Sequence, residues 1–546
     1  MEETQRHTKG HSTQGSSLLR EVNIATTVKR FEPAPFQIED MEHLQERDWS
    51  ANWSEMGCFK TSTVLWLIDK WAKRLEIENP RVLVVTTRSG KGTYFKHVPI
   101  QLPHYEAFNL LTSDCKLVME DHEFSVGSVP KELNHPSIFV AHYNVFTKRK
   151  KKKKEEEEPE PEEPKDVLES LFDEIFEEGE EKRKKAARKV PLIDDLLKIE
   201  WDIIILDEAH RIKGRTTGWT REIKKLKGKV KHVMTGTGFI NNPAEIWSLL
   251  HFLNRSEFSS YWRFREEFCA EDVVNGFRKI VGINPETEDD FKKLVRVVGP
   301  RRTKREVFKN LPEPIFSPYE VDLNPTQRKM YEDIREMLFT LDQAGTPIYA
   351  PNVLAALQRL RQVCVATPHV MQDYYDPKLE RRVQEIKLYE PSSKLDALMD
   401  IIDGLEWDDE RKDQVVVFSN FKDPIQLAKT RFENAGISYL EMSTKDNDRQ
   451  RYEKWAIEFP RKQHQVFICT LQLGSESISL TSASTCVFLD RSWSPKDNDQ
   501  GVSRVWRPGQ EEVANIIHIN AKDTVDGRIL ATTERKTGWF RAIFGG

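Results

Sequence analysis

The 546-residue chain reads as an α/β protein made of two parallel-sheet lobes with helical segments between them. Three observations give that class. Short apolar runs rich in β-branched residues recur, each followed by a turn and a longer amphipathic stretch, the sequence appearance of parallel strands with crossover helices. The runs fall into two series, one before residue 240 and one after residue 400. Between the series, apolar positions recur instead at three and four, as in YEDIREMLFTL and VLAALQRLRQVC, which is the helical period.

The first series is RVLVVTT (81–87), SIFVAHY (137–143), WDIIILD (201–207) and KVKHVMTGT (229–237). The second is QVVVFSN (414–420), ISYLEMS (437–443), QVFICTL (465–471), TCVFLD (485–490) and VANIIHI (513–519). The expected division is a polar tail over 1–25, a first lobe over 26–255, a helical linker or protrusion over 256–390 and a second lobe over 391–546. Residues 149–165, RKKKKKEEEEPEPEEPK, are low in complexity, so 149–189 reads as a charged surface insertion in the first lobe.

Bulk properties exclude more than they assign. The net charge of -5 hides local asymmetry and decides nothing about a polyanionic partner. The six cysteines are far apart, without CxxC pairs or zinc-ligand spacing, and read as reduced core thiols of an intracellular protein. No apolar run approaches a membrane span, and the start MEETQRHTKGHSTQGSS lacks a signal peptide's apolar segment.

WDIIILDEAH carries the first chemistry: an apolar strand ending in adjacent carboxylates puts them at the carboxyl edge of a parallel sheet, where such sheets bind ligands. Nucleoside triphosphate hydrolysis needs a carboxylate to hold magnesium and a group to orient the attacking water. Asp207 suits the first role and Glu208 the second; a DE pair there can also simply cap the next helix. Earlier, EMGCFKTST (55–63) precedes the apolar stretch VLWLIDKW, as a phosphate loop precedes its helix. Lys60 would meet terminal phosphates and Thr61 the magnesium, with Gly57 in the loop. The general GxxxxGK[ST] pattern is not met, because Phe59 stands where a glycine normally precedes the lysine. Gln37, in PFQIEDMEHL, has an amide able to meet an adenine edge as donor and acceptor. Arg504 and Arg507, in QGVSRVWRPGQ, are three apart and expected on one helix face, from which they could reach a nucleotide held by the other lobe.

As an ordered set these segments resemble the Swi/Snf-type DNA translocases of helicase superfamily two. The resemblance spans about 31–520 and includes PFQIEDM, EMGCFKT, ILDEAHRIK, MTGTGFINNPAEIWSLLHFL, PRRTKREVFKNLP, LQRLRQVC, SSKLDALMDII, VVVFSNF, SISLTSASTCVFLDRSWSP and DNDQGVSRVWRPGQ. RRTK, and SWSP followed by QxxxRxxRxGQ, separate this branch from RNA-unwinding relatives. The resemblance implies two RecA-like lobes of the P-loop NTPase type, ATP and Mg2+ as cofactors, and duplex DNA as partner. It gives Lys60, Thr61, Asp207, Glu208, Arg504 and Arg507 to ATP binding or hydrolysis and Gln37 to the base. The sequence departs from the family at Phe59, at Gly238 where proline is usual, at Ser477 where glycine is usual and at Gly501 where alanine is usual.

A backbone-gripping motor needs basic and hydroxyl groups at its strand ends. Candidates are Arg88, Lys91, Lys96, Lys213, Arg215, Arg301, Arg302 and Lys304 in the first part, with Lys422 and Thr470 in the second lobe; any one of these can equally be a solubilising surface charge. Trp493 reads as a packing residue. The expected protein is a monomeric, DNA-stimulated ATPase that moves along duplex DNA, cytoplasmic in a bacterium or phage and nuclear otherwise. A strand-separating DNA or RNA helicase and a degenerate ATPase fold serving as a DNA-binding scaffold are the alternatives.

Overall fold

The computed structural model describes residues 32–87, 90–110, 133–147, 192–239 and, with short gaps, 241–545. The tail 1–25, the insertion 149–189, Arg88, Cys115 and Ser477 lie outside the described residues.

Two six-stranded sheets, parallel throughout, form the two RecA-like lobes. In the first, β1 (Trp49–Asn52), β2 (Arg81–Thr86), β3 (Glu106–Leu110), β4 (Ser137–His142), β5 (Glu200–Asp207) and β6 (Lys227–Met234) lie in the order β1-β6-β5-β2-β4-β3. Along β2, Leu83 and Val85 join one apolar cluster and Val82 and Val84 another, so helices cover both faces. In the second, β7 (Ile315–Val321), β8 (Val415–Ser419), β9 (Tyr439–Met442), β10 (Val466–Thr470), β11 (Thr485–Phe488) and β12 (Asn515–Ala521) lie in the order β9-β10-β8-β11-β12-β7. Val416 and Phe418 face one cluster there, Val415 and Val417 the other.

All nine apolar runs read from sequence are strands. Three strands carry no such signal, β1, β3 and β7, and all three are sheet edges. β7 is largely exposed and contains Pro318, which an edge tolerates because one row of its backbone groups goes unpaired.

The interval 240–400 differs from the helical reading. Besides helices, it holds β7 and three antiparallel ribbons, Cys269–Val274 with Phe277–Ile283, Phe339–Leu341 with Pro347–Tyr349, and Thr367–Asp376 with Arg381–Tyr389. It also divides in its packing. Phe264, Phe268, Phe291, Val295 and Val298 join the first lobe's core, while Met330, Ile334, Leu360 and Val363 pack with Val525 and Ile529 beside the second sheet. The ribbons escaped notice because their exposed alternation lacks apolar runs, as at Met371, Tyr374 and Tyr375.

Three helices bear on function: α1 (Lys60–Arg74), α2 (Pro495–Val505) and α3 (Val525–Phe544). With 20 residues, α3 is about 30 Å long. Its first turns are anchored beside the second sheet through Val525 and Ile529, and its last turn packs into the first lobe's core through Ile543, Trp539, Phe540 and Phe544. Among the described residues no helix is long and apolar enough to cross a membrane. Cys58, Cys269, Cys364, Cys469 and Cys486 are buried free thiols, as expected of core cysteines.

Candidate functional site

β1 runs out at Asn52 into a loop that enters α1 at Lys60. Gly57 has φ 86 and Phe59 φ 52, ψ 29, so Phe59 adopts the left-handed backbone that a glycine would take there. Its ring meets Phe308 edge-on at 5.5 Å between centroids. The lysine is folded back: Lys60 Nζ donates to the carbonyls of Ser54 and Glu55, each at 2.8 Å. Gln37 is buried, with its amide nitrogen donating to Thr63 Oγ1 at 3.0 Å and its oxygen accepting from Ala34 N at 3.0 Å. Meeting a base would require Gln37 to exchange those partners.

β5 delivers the two carboxylates. Asp207 accepts from Thr86 Oγ1 at 2.9 Å and from the Glu208 backbone N–H at 3.0 Å. Burial, then the neighbouring Glu208 charge, pushes Asp207 up to about 6, so a cation beside it would be favoured. Tyr94 is fully buried beside Asp207 and Thr61, which places the two expected magnesium-side groups around one phenol. Metal binding by one carboxylate and one hydroxyl needs no cluster of protein ligands, since magnesium keeps waters and phosphate oxygens. Among the described residues no group of three or more His, Cys, Asp or Glu could hold a metal. Glu208 has φ 51 and stands at the N-cap of the turn Ala209–Ile212, yet its side chain makes no capping bond. Its Oε2 is instead 3.1 Å from His210 Nδ1. Burial pushes the Glu208 carboxyl up, but the His210 hydrogen bond and the Lys496 charge outweigh that and hold it low. Thr86, Tyr94 and Tyr143, whose hydroxyl donates to the Asp207 carbonyl at 2.7 Å, carry no signal in the sequence because hydroxyls on three separate elements make no local motif.

The second lobe faces this site through α2. Lys304 is buried, donating to Ser503 Oγ at 2.9 Å and to the Trp506 carbonyl at 3.0 Å, while its own backbone N–H donates to Glu55 of the loop. Its ammonium stands 4.5 Å from the Trp506 ring centre. At the other end of α2, the Lys496 ammonium meets His210 Nε2. Arg504 and Arg507 do not share a helix face: α2 ends at Val505, and Arg507 follows in a turn. Both still reach one carbonyl, that of Ile478, at 3.5 and 2.9 Å, and burial lowers the Arg507 pKa. The arginines are thus held by their own lobe.

Of the expected nucleic-acid positions, Arg301 and Arg302 are half-buried in ion pairs and Lys304 is buried. Arg301 pairs with Glu55 at 3.1 Å and lies over the Phe540 ring; Arg302 pairs with buried Asp40 at 2.7 Å. RRTK fixes the segment after the first lobe to the phosphate loop, because Trp53 N and Glu55 N donate to the carbonyls of Pro300 and Arg302. Lys91 is buried on Asn109 at 2.8 Å. Arg215 lies over the Tyr261 ring at 4.2 Å, Thr470 ends β10, Lys422 begins a helix and Lys96 is exposed. Lys213 lines a cavity of about 500 Å3 between the lobes, with Arg211, Arg361, Lys496, Lys536 and Trp493. Trp493 also packs against the apolar cluster beside the second sheet, the role read for it.

Two parallel-sheet lobes, with a lysine-bearing loop and paired carboxylates on one and an arginine helix on the other, define the class of two-lobed helicase-like ATPase folds. Within that class the chain is similar to the SNF2-related proteins: a model of the SNF2-related domain matches residues 135–369 and one of the helicase conserved C-terminal domain matches 393–509. It is 27% identical over 366 residues to chromodomain-helicase-DNA-binding protein 7 of Homo sapiens, covering 64% of this chain and 12% of that protein. It is 26% identical over 347 residues to the putative ATP-dependent helicase/translocase YwqA of Bacillus subtilis, covering 63% of this chain and 36% of that one. The chain therefore matches only about an eighth of the first relative and about a third of the second. The Sulfolobus solfataricus SWI2/SNF2 ATPase core in complex with dsDNA aligns over 94% of this chain and 97% of its own, at 18% identity and a TM-score of 0.38.

Proposed function

We propose that the chain is an ATP-dependent motor that hydrolyses ATP with Mg2+ between its lobes and moves along double-stranded DNA. One observation carries the reading: α2, with Arg504 and Arg507 at its end, lies across the phosphate loop and the carboxylates, linked to them by Lys304 at one end and Lys496 at the other. In this reading Lys60 leaves the loop carbonyls for the terminal phosphates, Thr61 and Asp207 hold the metal side, and Glu208 orients the attacking water. Arg504 and Arg507 leave the Ile478 carbonyl to stabilise charge on the transferring group. Residues to about 300 act as the first lobe and residues from 315 as the second, in keeping with their packing.

For the nucleic acid, the cavity walled by Arg211, Lys213 and Lys536, with Arg361 held there by Asp490, offers several cations for phosphates without base contacts. ATP turnover of the full chain, measured alone, with duplex DNA and with single strands, tests the proposal. Stimulation by duplex, abolished by Glu208→Gln while nucleotide binding persists, is the expected result. Equal background rates in both proteins would favour a scaffold, and stimulation by single strands alone would favour strand separation.

A further inference from the structure

One polar chain crosses between the lobes at the acidic centre. Lys496, the second residue of α2, directs its ammonium at His210 Nε2 across 286 residues of sequence. On the other side of the same ring, Nδ1 is 3.1 Å from Glu208 Oε2 and 3.3 Å from Thr235 Oγ1. An ammonium has no lone pair to offer, so Nε2 must accept and the ring proton must reside on Nδ1, where it meets the Thr235 hydroxyl and lies within ion-pair distance of the Glu208 carboxylate. We propose that Lys496 is an interlobe positioning residue, which through His210 fixes the tautomer and the aim of Glu208 and so ties that carboxylate's readiness to the placement of the second lobe.

Three features support this. His210 is 5% exposed, so its ring nitrogens are met mainly by protein groups. Burial lowers Lys496 to about 8, a cost that a merely solubilising lysine would avoid by pointing outward. Lys496 and Arg504 also ride on one 11-residue helix, so a single approach of α2 sets Glu208 from one end while it brings the arginine from the other. The inference rests on the proposed ATPase reading.

The test is ATP turnover of the full chain at saturating duplex DNA, with ATP titrated. Lys496→Met should lower kcat about tenfold, the scale of losing one hydrogen bond to a charged group, with KM for ATP within about threefold. Lys496→Arg, which keeps charge and donors, should recover most of the loss. His210→Ala should match Lys496→Met, and the double variant should be no worse than either single one, because both act on one carboxylate. Additive losses, or a Lys496→Met kcat equal to that of the wild type with only weaker duplex binding, overturn the inference while leaving the ATPase reading intact. A wild-type chain without turnover takes both down. In a chain labelled with 15N-histidine, the His210 shifts should report a proton on Nδ1 in the wild type; a proton on Nε2 overturns the inference whatever the rates.

Discussion

Phe544 fills the space that a side chain on residue 238 would need: a Cβ built at Gly238 collides with the Phe544 ring. The ring is also edge-on to Trp53 at 5.5 Å and stacked with Phe540 at 4.5 Å, so the end of α3 is locked beside the phosphate loop. The glycine that departs from the family pattern is therefore the seat of the chain's last helical turn. Gly238→Ala should cost about 1–3 kcal/mol, the usual range for overpacking, read as a lower thermal midpoint. Combined with Phe544→Ala, the loss should be clearly less than the sum of the two. Full additivity would mean that the ring is not what occupies the space.

Phe59 makes the opposite kind of prediction. A non-glycine residue in the left-handed region costs about 1–2 kcal/mol, and the edge-on contact with Phe308 returns about 0.5–1.5 kcal/mol. Because the two nearly offset, Phe59→Gly should change stability by no more than about 1 kcal/mol. The ring is engaged with Phe308, so KM for ATP should also move less than about threefold. A tenfold fall in KM would show that the ring obstructs the nucleotide.

What the sequence reveals and what it hides follow one physical division. Interior strands are apolar on both faces and announce themselves, whereas the edges β3 and β7 are partly or largely exposed and the edge β1, though buried, is a four-residue strand carrying Ser50 and Asn52. The placement of Lys60 at a loop–helix junction and of Asp207 and Glu208 at a strand end is legible because both patterns are local. Lys496 and Phe544 are not, since each acts on a residue nearly 300 positions away, and nothing local records that meeting. RRTK is ambiguous for a related reason. Its cations look like a phosphate track in one dimension, while in three they pair with Glu55, exposed Glu39 and buried Asp40.

Lys304 gives a pH dependence with a definite sign. Burial lowers its pKa to about 8 from the ordinary 10.5. Between those values the unfolded chain holds a proton that the folded chain has released, so this group's contribution to stability rises with pH across that window and is least below it. Relative to Lys304→Met, the wild type should therefore gain thermal midpoint from pH 7.5 to pH 10. A difference that stays flat or shrinks would show that Lys304 remains charged in the fold throughout, held by Ser503, Trp506 and Glu55.

The final prediction separates the cavity from RRTK as the nucleic-acid contact. Affinity for duplex DNA should fall steeply with salt, because cations that neutralise phosphates release condensed counterions. Each contact removed should reduce the slope of log K against log salt by about 0.9. Lys213 lines the interlobe cavity with only a loose pairing to Glu245 at 3.5 Å, so Lys213→Ala should weaken binding at low salt and flatten the slope by about one contact. Arg302 is committed to Asp40 and Glu39, so Arg302→Ala should leave the slope unchanged. Its cost should appear in stability, at about 3 kcal/mol or more, since Asp40 is 2% exposed and would lose its counterion. Slopes that respond to Arg302→Ala and not to Lys213→Ala would move the duplex from the cavity to the segment behind the phosphate loop.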